Sequence, residues 1–284
     1  MIGVIGVGEM GLPMAGHIMD HGFEVIAYDV DSHRLRAAAA RGAKTASGLA
    51  EIAQSAEMFV VCLRTDDQMA AVTEELVTHG SPGQLIIVAG THSLEFMRAL
   101  AALVQPADLR IIDAPVVFGA LGAVEGNLLS LCGGDAADVD RARPVLLSYS
   151  RGVEHVGPLG AGQLAKTCNN LLHWIHSVAN FETLAIAKRY GVDPQRMREV
   201  LFNCPGDNGT LRRWESTRFT WQEKDMDFVT ALAQDGGLIL PLTGQVDQLI
   251  KTLTAADVAA LLYEQECTYL GRRIVPLTAA EGGL

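Results

Sequence analysis

The chain predicts an α/β architecture: a doubly wound, mostly parallel sheet over its first half, then an all-helical second half. Three observations predict it. Short, continuously apolar runs of the kind buried in parallel sheets recur through residues 1–160, alternating with helical periodicity. A glycine-rich turn stands between the first such run and its helix. Beyond Gly162 the strand pattern stops and helical periodicity takes over. A length of 284 residues suits two medium domains. These are read as a sheet domain over 1–160 and a helical domain over 161–284, with a long interdomain helix at about 163–190.

Residues 1–7 form the first buried strand. Gly6-Val7-Gly8-Glu9-Met10-Gly11 follows it at once and opens a helix from 12 to about 21. Gly6 permits the tight turn, Gly8 lets a pyrophosphate approach the backbone, and Gly11 lets helix and strand pack closely. The free N–H groups at the start of the helix receive the phosphates. A second strand over 24–28 ends in Asp29, eighteen residues after Gly11, where a Rossmann-type domain keeps the acid that binds the adenosine ribose. Gly6, Val7, Gly8, Glu9, Met10 and Asp29 are therefore expected to hold the cofactor. A carboxylate at 29 bonds a free 2′-hydroxyl and repels a 2′-phosphate, and neither Val30 nor Asp31 can pair with one. The nearest cations, His33 and Arg34, fall on the next helix, so NAD is expected rather than NADP.

Further buried strands over 58–63, 84–89 and 110–112 end in Arg64-Thr65, Gly90-Thr91-His92 and Asp113-Ala114-Pro115. Ligands of such sheets gather at the carboxyl ends of strands, which makes these turns the walls of the cofactor groove, with Leu63, Arg64 and Thr91 as contacts. Thr91 reads equally as a helix N-cap with Glu95 behind it, and the two roles can coexist. Strand-like runs at 128–132 and 153–156 bracket a helix over 136–147 and complete the domain.

Gly160-Ala161-Gly162 opens the long helix. At 100° per residue Lys166, Asn170, His173 and Ser177 fall within about 60° of one another, a polar stripe on an otherwise apolar helix. A lysine, an amide and an imidazole on one line can hold an alcohol and move its proton; taken alone, Lys166 reads better as a snorkelling side chain. Helical patterns then cover 193–202, 225–235, 241–254 and 257–266, with a breaker cluster at 203–209. This order places the active site in the cleft between the halves.

Composition narrows the partners. A formal charge of −11 argues against nucleic acid and against an anionic membrane. No apolar run approaches the ~20 residues that cross a bilayer. The N-terminus enters a strand directly, without a signal segment, and the five cysteines show no CxxC, so a cytoplasmic protein with buried thiols is expected. No His/Cys/Asp/Glu cluster has ligand spacing, so no metal is expected. Trp214 and Trp221 read as core residues, with capping of the cleft as the other reading.

Several motifs together resemble the β-hydroxyacid dehydrogenase family, the group of 3-hydroxyisobutyrate dehydrogenase and tartronate semialdehyde reductase. They are Gly6-x-Gly8-x-Met10-Gly11-x-Pro13-Met14, Asp113-Ala114-Pro115-Val116, Gly126-Asn127-Leu128, Gly133-Gly134, Gly160-x-Gly162-x-x-x-Lys166-x-x-Asn169-Asn170 and Lys224-Asp225. The resemblance covers nearly the whole chain. It implies an NAD(P)-dependent dehydrogenase or reductase in which Lys166 is the general acid/base, Asn170 orients the substrate and Lys224 reaches the site from the helical domain. It also implies a homodimer or homotetramer interlocked through the helical half, which makes 1–160 the NAD-binding domain and 161–284 the substrate and dimerisation domain. A lysine can serve if a partly buried cleft and a cationic nicotinamide push its pKa towards neutral.

The chain departs from that pattern in places. The family usually follows Asp-Ala-Pro-Val with Ser-Gly-Gly, whose hydroxyl and bare amides hold the substrate carboxylate; here the residues are Val117-Phe118-Gly119. This substrate wall has lost a hydroxyl and gained a ring, which selects a less polar substrate or a carboxylate held by Arg64, Arg212 or Lys224. Packing of Val117 and Phe118 beneath the cleft is the alternative. Val88-Ala89-Gly90-Thr91 keeps only the threonine of a common turn, and a proline usually found near Arg64 is missing. His173, seven residues after Lys166, stands where decarboxylating relatives carry a glutamate; it reads as a second acid, a polar lining or a core histidine. His176 is read as structural. Two other functions remain: an imine reductase, whose members usually replace the lysine by Asp or Tyr, and a non-catalytic scaffold, which tends to lose it.

Overall fold

The computed structural model describes residues 1–283 and divides into two compact units, Met1–Lys166 and Thr167–Leu284. The first unit alternates strand and helix. Its elements are β1 (Ile2–Ile5), α1 (Gly11–Asp20), β2 (Val25–Tyr28), α2 (Ser32–Ala40), β3 (Lys44–Thr45), α3 (Leu49–Ser55), β4 (Met58–Val61) and α4 (Asp66–His79). They continue with β5 (Leu85–Val88), α5 (Leu94–Val104), β6 (Arg110–Asp113), β7 (Val116–Val117), α6 (Gly119–Val124), β8 (Leu128–Gly133), α7 (Ala136–Tyr149) and β9 (Ser150–Gly157). The long helix α8 (Ala161–Arg189) begins here and carries the chain into the second unit.

The sheet runs in the order β3-β2-β1-β4-β5-β6-β8-β7, with β9 on β8. Strands β3 to β6 pair in parallel, β8 runs antiparallel to β6 and β7, and β9 is parallel to β8. The central strands bury every residue of the runs Ile2–Ile5 and Leu85–Val88, because helices cover both faces. One face packs Val4, Met14, Ile18 and Tyr149 into a core, and the other packs Phe59, Ile52, Met69 and Ile86. Helix starts follow local chemistry: Thr65 Oγ1 accepts from the Gln68 N–H and Ser93 Oγ from the Phe96 N–H. Ser93, not Thr91, is thus the N-cap of α5, which leaves Thr91 in the turn itself. The order reverses at β1, with β2 on one side and β4 on the other, and such a switch point opens a crevice at the strand ends.

The second unit holds the rest of α8, then α9 (Pro194–Leu201), α10 (Gly209–Arg212), α11 (Gln222–Asp235), α12 (Pro241–Ile250) and α13 (Ala255–Tyr263). Its own core gathers Trp174, Phe181, Trp214, Met226, Ile250 and Leu261. One feature corrects the all-helical expectation: β10 (Cys267–Tyr269) and β11 (Arg272–Ile274) form an antiparallel hairpin. Its two-residue turn, Leu270-Gly271, has both residues at positive φ (49° and 74°), the geometry of a tight hairpin. Among the described residues no helix is long and apolar enough to cross a membrane, and no group of His, Cys, Asp and Glu could hold a metal ion.

The thiols correct a second expectation. Cys132 and Cys267 are buried, but Cys62 and Cys204 are only partly so and Cys168 is exposed on α8. Burial pushes the Cys132 thiol up to about 12.

Candidate active site

The first unit contains a site for a dinucleotide. Gly6 has φ 86° and its N–H donates to Tyr28 O. A Cβ on Gly11 would lie 1.9 Å from Gly6 O, so this turn closes only without side chains. No side chain caps the start of α1, whose first turn carries no acid, which suits a phosphate. Val7 is buried and its N–H donates to Asp29 Oδ2 at 2.9 Å, while the Asp31 N–H donates to Asp29 Oδ1 at 2.9 Å. These bonds aim the carboxylate, and its remaining lone pairs suit ribose hydroxyls. Arg34 sits closer than its sequence position suggested: Nη1 is 3.7 Å from Asp29 Oδ2 and Nε is 3.5 Å from Asp31 Oδ2. Gly8 and Met10 are half-buried and Glu9 is exposed. Leu63 packs into the core beside Gly6, whereas Arg64 is exposed and its N–H donates to Gln68 Oε1. Thr91 is half-buried in the turn after β5.

A second constellation ties the start of α8 to this sheet, and sequence reasoning missed it. Asp113, fully buried at the end of β6, accepts from the Gly160 N–H and the Gln163 N–H, both at 2.7 Å. Burial pushes its carboxyl up from the usual range, while the backbone amides pull it down. A Cβ on Gly162 would lie 2.2 Å from Leu131 O and 2.7 Å from Asp113 Oδ2. The motif glycines around Asp113 therefore make room for a helix start pressed onto a carboxylate. Gln163 is buried, with Oε1 accepting from the His92 N–H and Nε2 donating to Gly90 O. One turn on, the Lys166 ammonium donates to Val116 O at 2.9 Å, which holds the lysine beside the 116–119 turn. The sequence signal for this lock was the repeated Gly-x-Gly ahead of an amide and an acid at a strand end.

In that turn Val117 is buried and Phe118 is half-buried against the core. Phe118 has φ 84° and Gly119 φ 61°, so the chain keeps a glycine-like backbone with a ring attached. The Arg151 guanidinium stacks 4.1 Å from the ring centroid.

The remaining expected residues lie in the second unit. Asn170 is nearly buried and accepts from Asn169 Nδ2. His173 Nδ1 shares a 3.0 Å hydrogen bond with Thr210 Oγ1, and its ring is 4.5 Å from that of Trp174. Ser177 is buried and its hydroxyl donates back to His173 O, which removes it from the polar stripe. The Lys224 ammonium lies 5.3 Å from the Phe228 ring, and Asp225 accepts from the Trp174 indole. Trp214 is a core residue, whereas Trp221 is exposed ahead of α11, so a core role for Trp221 is corrected.

The chain is similar to known proteins along most of its length. A family model described as the NAD binding domain of 6-phosphogluconate dehydrogenase matches residues 1–157. A second, described as NAD-binding of NADP-dependent 3-hydroxyisobutyrate dehydrogenase, matches 160–261. The 3-hydroxyisobutyrate dehydrogenase of Pseudomonas aeruginosa is 32% identical over 74% of this chain and 72% of its own. An NAD-dependent L-serine dehydrogenase from the same organism is 30% identical over 74% and 72%. Among solved structures, Mycobacterium tuberculosis 3-hydroxyisobutyrate dehydrogenase with L-serine superposes with a TM-score of 0.81 at 25% identity, covering 93% of this chain and 94% of that one.

Proposed function

The chain belongs to the β-hydroxyacid dehydrogenase family, and from that premise we propose that it moves hydride between NAD and a 3-hydroxy acid or its aldehyde, with Lys166 as general acid/base. The observation that carries this reading is the lysine's placement. It is held on Val116 O, on a helix start fastened to the strand-end turns of the nucleotide-binding unit. Both 3-hydroxyisobutyrate and L-serine, named for relatives, carry a hydroxymethyl group beside the carbon that bears the carboxylate, and this is the substrate class proposed here.

Gly6, Gly8, Gly11 and Asp29 would hold the dinucleotide, which would supply the hydride acceptor. The protein's part is to fix the reacting carbon and to take the hydroxyl proton. In oxidation the neutral Lys166 amine accepts the proton, and in reduction its ammonium returns it to the developing alkoxide. Asn170 and Lys224 are proposed to bind the substrate carboxylate or hydroxyl, with His173 as a polar neighbour. Val117 cannot supply the hydroxyl that the family's serine does, so the amides of Phe118 and Gly119 and the cationic side chains take a larger share. An oligomer, dimer or tetramer, is proposed on family grounds alone.

Lys166→Ala should lose at least ~100-fold in turnover while NADH affinity stays within a few-fold, as removal of a general acid/base demands. Turnover is read at 340 nm with NAD and 3-hydroxyisobutyrate or L-serine, and in reverse with aldehydes and cyclic imines. Normal turnover by the variant would end the assignment, and reduction of imines alone would move the substrate class.

A further inference from the structure

We propose that Asp66, His92 and Gln163 form a positioning chain that fixes the register of the helix carrying Lys166 against the two turns bordering the cofactor groove. The inference rests on the general acid/base reading of Lys166. The chain has three links. The Asp66 carboxylate, at the first residue of α4 and so in the turn after β4, lies 2.6 Å from His92 Nδ1. His92 belongs to the turn after β5; its side chain is fully buried and its ring packs 5.3 Å from Phe96. The His92 N–H donates to Gln163 Oε1 at 3.0 Å, and Gln163 Nε2 returns a 2.9 Å bond to Gly90 O. Three segments far apart in sequence thus meet through side chains, one helical turn before the lysine.

The choice of groups matters. Gln163 is 1% exposed and satisfies one donor and one acceptor of the same turn. A carboxamide has a fixed polarity, so sliding α8 by a residue leaves both backbone groups unpaired in a dry interior. An apolar residue of the same size would pack equally well and define no register. Asp66, with a side chain 42% exposed, is the end of the chain open to solvent, and it sets the orientation of a ring that is 0% exposed. Displacement of either turn is therefore transmitted to Gln163, and a catalytic group is sensitive to shifts below an ångström.

The test uses the full chain with Gln163→Leu, Asp66→Ala and Asp66→Asn, the last keeping an acceptor oxygen for the imidazole. Amide hydrogen exchange is followed over 161–166 without nucleotide, and kcat and KM for NAD are measured with 3-hydroxyisobutyrate or L-serine. Gln163→Leu and Asp66→Ala should exchange faster across that segment and lose about tenfold in kcat, the scale of a sub-ångström misplacement, with KM for NAD within about threefold. Asp66→Asn should return both readouts to near the parent. Unchanged exchange in both disruptive variants overturns the proposal, as does Asp66→Asn being as impaired as Asp66→Ala, or a loss that appears equally in KM for NAD. If Gln163→Leu fails to fold, the Asp66 pair decides alone. The Lys166 reading fails separately, by normal turnover of Lys166→Ala; the exchange measurement then still judges the tie.

Discussion

At φ 84° a phenylalanine is held by what its ring touches, because an L side chain in the left-handed region costs about 1–2 kcal/mol. Phe118 offsets that strain with a half-buried ring worth roughly 1–1.5 kcal/mol of apolar burial and a guanidinium stack worth about 0.5–1 kcal/mol. The balance is close to even, and this makes an unusual order of variants. Phe118→Ala keeps the strained backbone and loses the ring, so it should be destabilised by about 1.5–2 kcal/mol. Phe118→Gly loses the ring and the strain together and should stay about 1 kcal/mol more stable than the alanine variant. Urea unfolding of the two proteins decides; equal midpoints and slopes would show that the backbone stores no strain there. That this turn differed from its family was legible in Val117-Phe118-Gly119. That the ring lies against Arg151 was not, since Arg151 sits 33 residues away on β9 and no local periodicity links them.

Elements were legible where one physical signal dominated. The central strands announced themselves because both faces are buried and their runs are continuously apolar. The short β3 and β7 have two residues each, too few for any period, and the β10–β11 turn hid behind Leu270, a residue that rarely takes positive φ. A tie among three elements of the second unit was equally invisible. Arg198 on α9 donates to both oxygens of Glu215, at 2.5 and 2.7 Å, and to Leu211 O, while the Tyr263 hydroxyl of α13 donates to Glu215 Oε1. The Arg198 guanidinium holds the Glu215 carboxyl down, to about 2 from the ordinary 4.5. Its contribution to stability is therefore complete above 4.5, declines as pH falls towards about 2 and is absent below. Half-exposure of the carboxylate keeps that contribution modest through solvent screening. The thermal midpoints of the parent and Glu215→Gln should differ near neutral pH and converge across that acid window; a gap independent of pH would show that the ion pair is not its source.

On the scale of the whole molecule, the chain builds separate cores in its two units and spends one helix passing between them. The nucleotide fingerprint was readable because its glycines answer to steric demands that no other residue meets, as the 1.9 Å approach at Gly11 illustrates. The Asp113 and Gln163 lock left only its Gly-x-Gly as a signal, because it joins residues 47 and 50 positions apart through buried polar bonds, which leave no trace in hydropathy. Choice of cofactor is where the two kinds of information meet. On the proposed role of Asp29 as the ribose acid, a 2′-phosphate would meet the carboxylates of Asp29 and Asp31, and Arg34 is already paired with both. Accommodating that phosphate would bring like charges together beside a guanidinium already engaged. NADH at about 100 times its Kd should stabilise the protein by about 2.7 kcal/mol through mass action alone. In a unit of 166 residues that corresponds to a rise of roughly 5–10 °C in thermal midpoint. NADPH at the same concentration should give a clearly smaller rise, and Asp29→Ala should narrow the difference by removing one of the repelling charges. An NADPH shift equal to or above that of NADH would reverse the cofactor assignment while leaving the role of Lys166 standing.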